Sequence, residues 1–162
     1  PKYAFSGASQ HGFLSNYLEK ITFTKECTTI EDQAFEYSKL SSLNLPSQLT
    51  HIGREAFAYN STLTELIIPS TVEYLGYAAF ASCGLRDISI YPQEILEQQT
   101  VESISPSDEN NRPWFWGNPT SYPATIIHLP RNIVDIEDAK TRYGYYWNFI
   151  SETEYIGWVA DI

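Results

Sequence analysis

The sequence predicts a solenoid in which short parallel strands stack coil upon coil and tight turns join them. Three observations predict it. Phenylalanine recurs at Phe13, Phe35, Phe57 and Phe80, in steps of 22, 22 and 23 residues. A small residue precedes each one: Gly12, Ala34, Ala56 and Ala79. The residues between them recur as well. One unit carries Leu40, Leu43, Leu45, Pro46, Leu49, Ile52 and Gly53; the next carries Leu63, Leu66, Ile68, Pro69, Val72, Leu75 and Gly76. A fixed period of about 20–50 residues is the signature of repeat architectures, whose units bury their apolar edges only by stacking.

Residues 1–11 read as an N-terminal remnant and residues 12–90 as the repeats. The first unit is degenerate but in phase, with Leu18, Ile21, Phe23, Cys27 and Ile30. Leu-x-x-Leu-x-Leu points alternate residues inward, as a strand requires. Proline then ends the strand, because it has no N–H to give to a ladder. A second inward pair follows, such as Val72 and Leu75. A glycine turns the chain, and the Ala-Phe segment brings it back. The pattern is that of a leucine-rich-repeat solenoid of the α/β horseshoe type. Its short parallel strands are expected to stack in one sheet, with short helical or irregular turns between them.

Asn16, Ser38, Asn60 and Cys83 fall at one equivalent bend. Small polar side chains there can bond the turn backbone and stack as a ladder. Asn60-Ser61-Thr62 matches a glycosylation sequon, but an inward-facing Asn60 would not be modified. The one-residue difference in unit length falls at this same place, where the shorter unit has Ser38-Lys39-Leu40.

A fourth unit begins with Phe80, Cys83, Leu85, Ile88 and Ile90, and then the period is lost. Residues 91–124 read as an irregular, acidic, proline-rich insertion holding five of the nine prolines. It contains the aromatic run Trp114-Phe115-Trp116. Two readings stand for that run: it plugs the end of the core, or Trp114 or Trp116 is exposed and stacks on a sugar or a protein aromatic. Residues 125–150 read as a last strand and a cap helix, with Asp135 as cap, Ile136, Ala139 and Tyr143 on one face, and Gly144 as stop. Such a C-terminal helix cap would cover the last coil. In the tail, residues 151–162, a short strand is expected over 155–159.

Composition narrows the function. The 162 residues fit one domain, and the formal net charge of -10 disfavours nucleic acid and anionic lipid surfaces. No apolar run is long enough to insert in a membrane. The sequence opens on Pro1 and contains no methionine, so it reads as a processed piece without a signal peptide. His11, His51 and His128 lack metal-ligand spacing, and no metal or cofactor is expected. Cys27 and Cys83 lie on coils roughly 14 Å apart at strand spacing. A disulfide needs Cα atoms within about 7 Å, so two free, mostly buried thiols are expected.

The unit Ala-Phe-x-x-(Asn/Cys)-x-x-Leu-x-x-Leu-x-Ile-Pro-x-x-Val-x-x-Ile-Gly resembles the repeat of the BspA-like leucine-rich-repeat proteins. Residues 56–80 match it nearly residue for residue, and residues 34–57 match with one deletion. Ile127-His128-Leu129-Pro130, with Tyr143, Trp147 and Phe149 after it, is similar to that family's closing element. Here Trp147-Asn148-Phe149 is one residue short of the usual Trp-x-x-Phe. The resemblance covers about two thirds of the chain. It implies a bacterial protein, secreted or attached to the cell surface, working in adhesion, with no catalytic residues.

A ligand would sit on the outward strand residues, which align into columns. One column holds Thr22, Asn44, Ile67, Ser89 and His128. Its neighbour holds Lys20, Ser42, Glu65, Asp87 and Ile126. With Trp114 and Trp116, the residues Thr22, Asn44, Glu65, Ile67, Asp87, Ser89 and His128 are the candidate binding set for a protein or glycan ligand. The chain is expected to be monomeric. A second reading makes it a passive spacer or self-association domain. A third, an enzyme acting on glycans, rests only on Asp108 or Glu109 beside Trp114, and no nucleophile–base pair or metal motif supports it.

Overall fold

The computed structural model describes residues 18–91, 125–129 and 156–160. Its strands are β1 (Thr29–Ile30), β2 (His51–Ile52), β3 (Glu65–Ile68), β4 (Tyr74–Leu75), β5 (Asp87–Ile90), β6 (Thr125–Leu129) and β7 (Ile156–Ala160). All pairings are parallel. The coils are numbered from their first inward leucine: coil 1 from Leu18, coil 2 from Leu40, coil 3 from Leu63 and coil 4 from Leu85.

The strands form two sheets, not the single sheet expected. One has the order β1-β2-β4 and the other β3-β5-β6-β7. A bend in each coil separates them, with Thr24 at it in coil 1 and proline in coils 2 and 3. Pro69 follows β3 directly, and its ring closes the ladder on that side of the coil. The chain bends there through Val72 N–H to Pro69 C=O, 3.1 Å, and then begins β4 on a second side. Coil 2 bends the same way, Leu49 N–H donating to Pro46 C=O at 3.0 Å.

The third side of each coil is neither a helix nor irregular. No helix occurs among the described residues. Along residues 33–37, alternate N–H groups reach the next coil: Gln33 to Arg54 C=O at 2.8 Å, Phe35 to Ala56 at 2.8 Å, and Tyr37 to Ala58 at 2.9 Å. The intervening N–H groups of Ala34 and Glu36 bond three residues back within their own coil. Glu55, Phe57 and Tyr59 repeat the pattern onto Tyr77, Ala79 and Ala81. This side is therefore a hydrogen-bonded ladder of turns. The α/β horseshoe, which needs a helix behind each strand, is not what these coils build. The expected C-terminal cap helix lies outside the described residues, as do the insertion beyond Tyr91 and the Trp114-Phe115-Trp116 run.

The glycines have a different task from the one expected. The turning is done by Gln33, Tyr37, Glu55, Tyr59, Ala78 and Ser82, whose φ angles lie between 50° and 63°. Gly53 and Gly76 instead allow coils to touch. A Cβ at Gly76 would lie 2.5 Å from the Arg54 nitrogen and 2.6 Å from the Gly53 carbonyl carbon, both backbone atoms that cannot step aside. Gly76→Ala is expected to cost about 2 kcal/mol or more, as overpacked sites do, read as a lower urea midpoint at unchanged slope. An unchanged midpoint would show that the coils separate freely there.

The core runs as one column through the coils. Phe57 stacks on Phe35 at 5.3 Å and on Phe80 at 5.2 Å, with interplanar angles of 11° and 6°. Leu40, Leu49, Ile52, Leu63, Leu66, Ile68, Leu85 and Ile88 fill the space between the two sheets and the turn ladder. Asn60 is fully buried, as its place on the bend ladder implied. Its side-chain amide donates to Phe35 C=O at 2.9 Å and Phe57 C=O at 2.8 Å, and its oxygen accepts from Leu40 N–H at 3.0 Å. Cys83 holds the next rung, its Sγ 3.2 Å from Phe57 C=O. Asn16 lies outside the described residues.

The two cysteines are free, but only Cys83 is buried; Cys27 is half-exposed near the edge of the core. Burial pushes the Cys83 thiol up to about 12, against a smaller opposing pull from the Asn60 backbone. At neutral pH a thiol reagent should modify Cys27 within minutes and Cys83 only on unfolding; fast modification of both would contradict this core. Because the folded state holds Cys83 protonated, its stabilising effect is full below the ordinary value of 9.0 and is lost as pH rises toward about 12.

Candidate functional site: the outward strand face

The outward columns follow directly from strand alternation. In β3 and β5, Leu66, Ile68, Ile88 and Ile90 point into the core, which forces Glu65, Ile67, Asp87 and Ser89 outward. The observed register pairs Glu65 with Asp87 and Asp87 with Ile126; it pairs Ile67 with Ser89 and Ser89 with His128. From coil 3 onward both columns follow the order read from the repeat phase, while Lys20, Thr22, Ser42 and Asn44 lie in segments that form no strand. β7 pairs with β6 in turn, in a register that sets Gly157 opposite Ile126 and Val159 opposite His128. The tail strand expected at 155–159 is β7, displaced by one residue.

The structure divides the candidate residues into two groups. Asp87, Ser89 and His128 lie together across β5 and β6, with His128 Nε2 3.6 Å from Asp87 Oδ1. The pair is an ion pair when the imidazole is protonated. Asn44, Glu65 and Ile67 meet at a cleft of about 210 Å³ between coils 2 and 3, lined also by Ser41, Ser42, Leu43, Thr64 and Leu66. Ile67 is 59% exposed at its rim, the most open large apolar side chain among the described residues. Thr22 is exposed on coil 1, in a segment that forms no strand, and does not reach this cleft. Trp114 and Trp116 lie outside the described residues.

The cleft exists because the sheet stops there. β3 is an edge strand, and the equivalent segment of coil 2 forms no strand. At the next junction, Thr64 C=O accepts from Arg86 N–H at 2.8 Å and Asp87 N–H at 3.2 Å. Ser41 N–H likewise reaches Glu19 C=O at 3.1 Å between coils 1 and 2. Between coils 2 and 3, no backbone hydrogen bond joins residues 41–45 to 64–68 among the described residues. The extra residue at Asn60-Ser61-Thr62 lies just before this seam. Side chains take over the pairing of Leu40: Asn60 accepts from its N–H, and Thr62 Oγ1 donates to its C=O at 2.8 Å. The other two sides of the same junction remain closed, by β2–β4 pairing and by the turn ladder. The cleft is therefore a one-sided opening on a fixed base.

Two exposed aromatic stacks were missed in the sequence. His51 lies on Tyr74 at 4.3 Å and 9°, on the outer face of the β1-β2-β4 sheet. Tyr37 lies on Tyr59 at 4.2 Å and 2°, on the turn side. Each pair occupies one repeat position in successive coils, so the repeat phase would have revealed both. Among the described residues there is no group of three or more His, Cys, Asp or Glu side chains placed to hold a metal ion. No helix of the described residues is long and apolar enough to cross a membrane.

The family model for the BspA type leucine-rich repeat region, described as six copies, matches residues 2–103. The chain belongs to this family. Its repeats are typical of surface-associated proteins, and the coils of this BspA-type region are the structural form of the period read above. The match ends before β6 and β7, although both strands continue the parallel sheet. No curated protein and no solved structure matches the chain.

Proposed function

We propose that this BspA-type region is a non-catalytic binding module of an exported bacterial surface protein, acting in adhesion to host protein or glycan through its outward strand face. The observation that supports it best is Ile67, 59% exposed beside a cleft, where a solvated sheet would carry a polar side chain. Around it the face offers hydroxyl, amide, carboxylate and imidazole groups in register on a stacked backbone. Extended repeat faces of this kind serve as broad binding platforms. The acidic balance of the chain favours neutral or basic partners.

The test is binding of the 162-residue chain to arrays of host-matrix proteins and glycans, beside an Ile67→Glu variant. Ile67 is exposed and lies outside the buried core cluster, so the variant should keep its far-ultraviolet spectrum and urea midpoint. A ligand retained by the parent and weakened at least about tenfold by Ile67→Glu supports the reading, since a desolvated charge at a contact centre costs more than 1.4 kcal/mol. Equal binding by both proteins removes this face from the interaction. Silence on both arrays removes the adhesive role and leaves a spacer.

A further inference from the structure

The cleft between coils 2 and 3 is chemically more specific than the face around it. β3 bonds to β5 through alternate residues: Thr64 C=O accepts from Asp87, and Ile68 C=O accepts from Tyr91 N–H at 3.2 Å. In a strand the backbone groups of successive residues point to opposite sides. The N–H groups of Glu65 and Ile67 therefore point toward coil 2, where repeat equivalence places the carbonyls of Ser41 and Leu43. Those bonds are not formed. The carbonyls of Glu65 and Ile67 point the same way, so donors and acceptors alternate along the edge of the gap.

What fills such a gap must donate and accept at nearly the same point. A hydroxyl group does both; a carboxylate only accepts, and an ammonium only donates. The rim repeats this preference with the hydroxyls of Ser41, Ser42 and Thr64, the amide of Asn44 and the carboxylate of Glu65. Ile67 adds an apolar surface suited to the C–H groups of a sugar ring. The opening, about 210 Å³ and open to solvent on one side, has room for a small polar ligand in place of several waters. Glu65 and Asp87 lie side by side on neighbouring strands and repel an anionic sugar.

We propose that this seam is a binding site for one neutral monosaccharide unit of a glycan, whose hydroxyls bridge the open backbone groups of Glu65 and Ile67 to coil 2. The proposal rests on the binding-module reading and names the ligand class for it. An extended peptide is the competing occupant. It fits less well, because coils 2 and 3 are clamped on their other two sides and leave no room for an added strand.

The test is titration of the 15N-labelled chain with the methyl glycosides of glucose, galactose, mannose and N-acetylglucosamine. N-acetylneuraminic acid and a Val-Thr-Val tripeptide serve as comparisons. Without ligand, the Glu65 and Ile67 amides should exchange with solvent much faster than those of Leu66 and Ile68. At least one neutral glycoside should shift the Glu65 and Ile67 amides and slow their exchange. Asn44→Ala, at an exposed position, should weaken that glycoside about tenfold, as loss of a ligand hydrogen bond does. The acidic sugar should bind at least about tenfold more weakly, and Glu65→Gln should narrow that gap. Three results would overturn the proposal: no shift at these amides with any neutral glycoside, equal binding of the acidic sugar, or a response to the tripeptide alone. An array hit lost in Ile67→Glu together with a silent titration would remove the saccharide site and keep the binding module.

Discussion

Asn60→Ala should lower the unfolding free energy by about 3 kcal/mol, because three buried backbone groups each lose a hydrogen bond at once, although Phe57 C=O keeps the one from Cys83 Sγ. Those groups are Phe35 C=O, Phe57 C=O and Leu40 N–H, held at 2.9, 2.8 and 3.0 Å. The methyl group of alanine reaches none of them, and the site is fully buried, so solvent does not compensate. Asn60→Cys should cost less, since Cys83 fills the equivalent rung and bonds Phe57 C=O from the other side. Urea unfolding of both variants measures the difference. A loss under about 1 kcal/mol for Asn60→Ala would mean that water replaces the side chain and that the rung is not structural.

Phe57→Ala should cost about 4 kcal/mol, the range for emptying a buried phenylalanine site. The position matters beyond its volume. Phe57 is the middle ring of the Phe35–Phe57–Phe80 stack, so its removal breaks two aromatic contacts and leaves a void between adjacent coils. Solenoid stability is a sum of coil terms and neighbour terms. Losing both neighbour terms at one coil should broaden the thermal transition as well as lower it. Phe57→Leu keeps most of the volume and loses the stacking, with an expected cost of about 1.5 kcal/mol. Equal losses for the two variants would show that ring stacking, not cavity volume, decides stability here.

Much of the binding face could be read from the sequence, because strand alternation and repeat phase are local properties. Once Leu66, Ile68, Ile88 and Ile90 are assigned inward, Glu65, Ile67, Asp87 and Ser89 have no direction left but outward. The pairing of Ile67 with Ser89, and of Ser89 with His128, then follows from counting. Other features were illegible for a physical reason. The unformed ladder between coils 2 and 3 is a relation between chains of atoms 23 residues apart, and the sequence marks it only as one extra residue near Asn60. That residue identifies where the units differ in length, not which hydrogen bonds are lost.

The sequence by itself determined the period, the inward side chains, the columns of the strand face and the burial of Asn60. Each depends on residues a few positions apart or on one repeat step. Tertiary structure alone decided the rest. Stacking turned the proline bend into a boundary between two sheets, since a strand belongs to a sheet only through the neighbour it pairs with. It made a regular ladder of the Ala-Phe turns, because the bonds that order Gln33, Phe35 and Tyr37 end on another coil. It also set β7 beside β6 in the sheet, through backbone pairing that any strand-forming residues can supply.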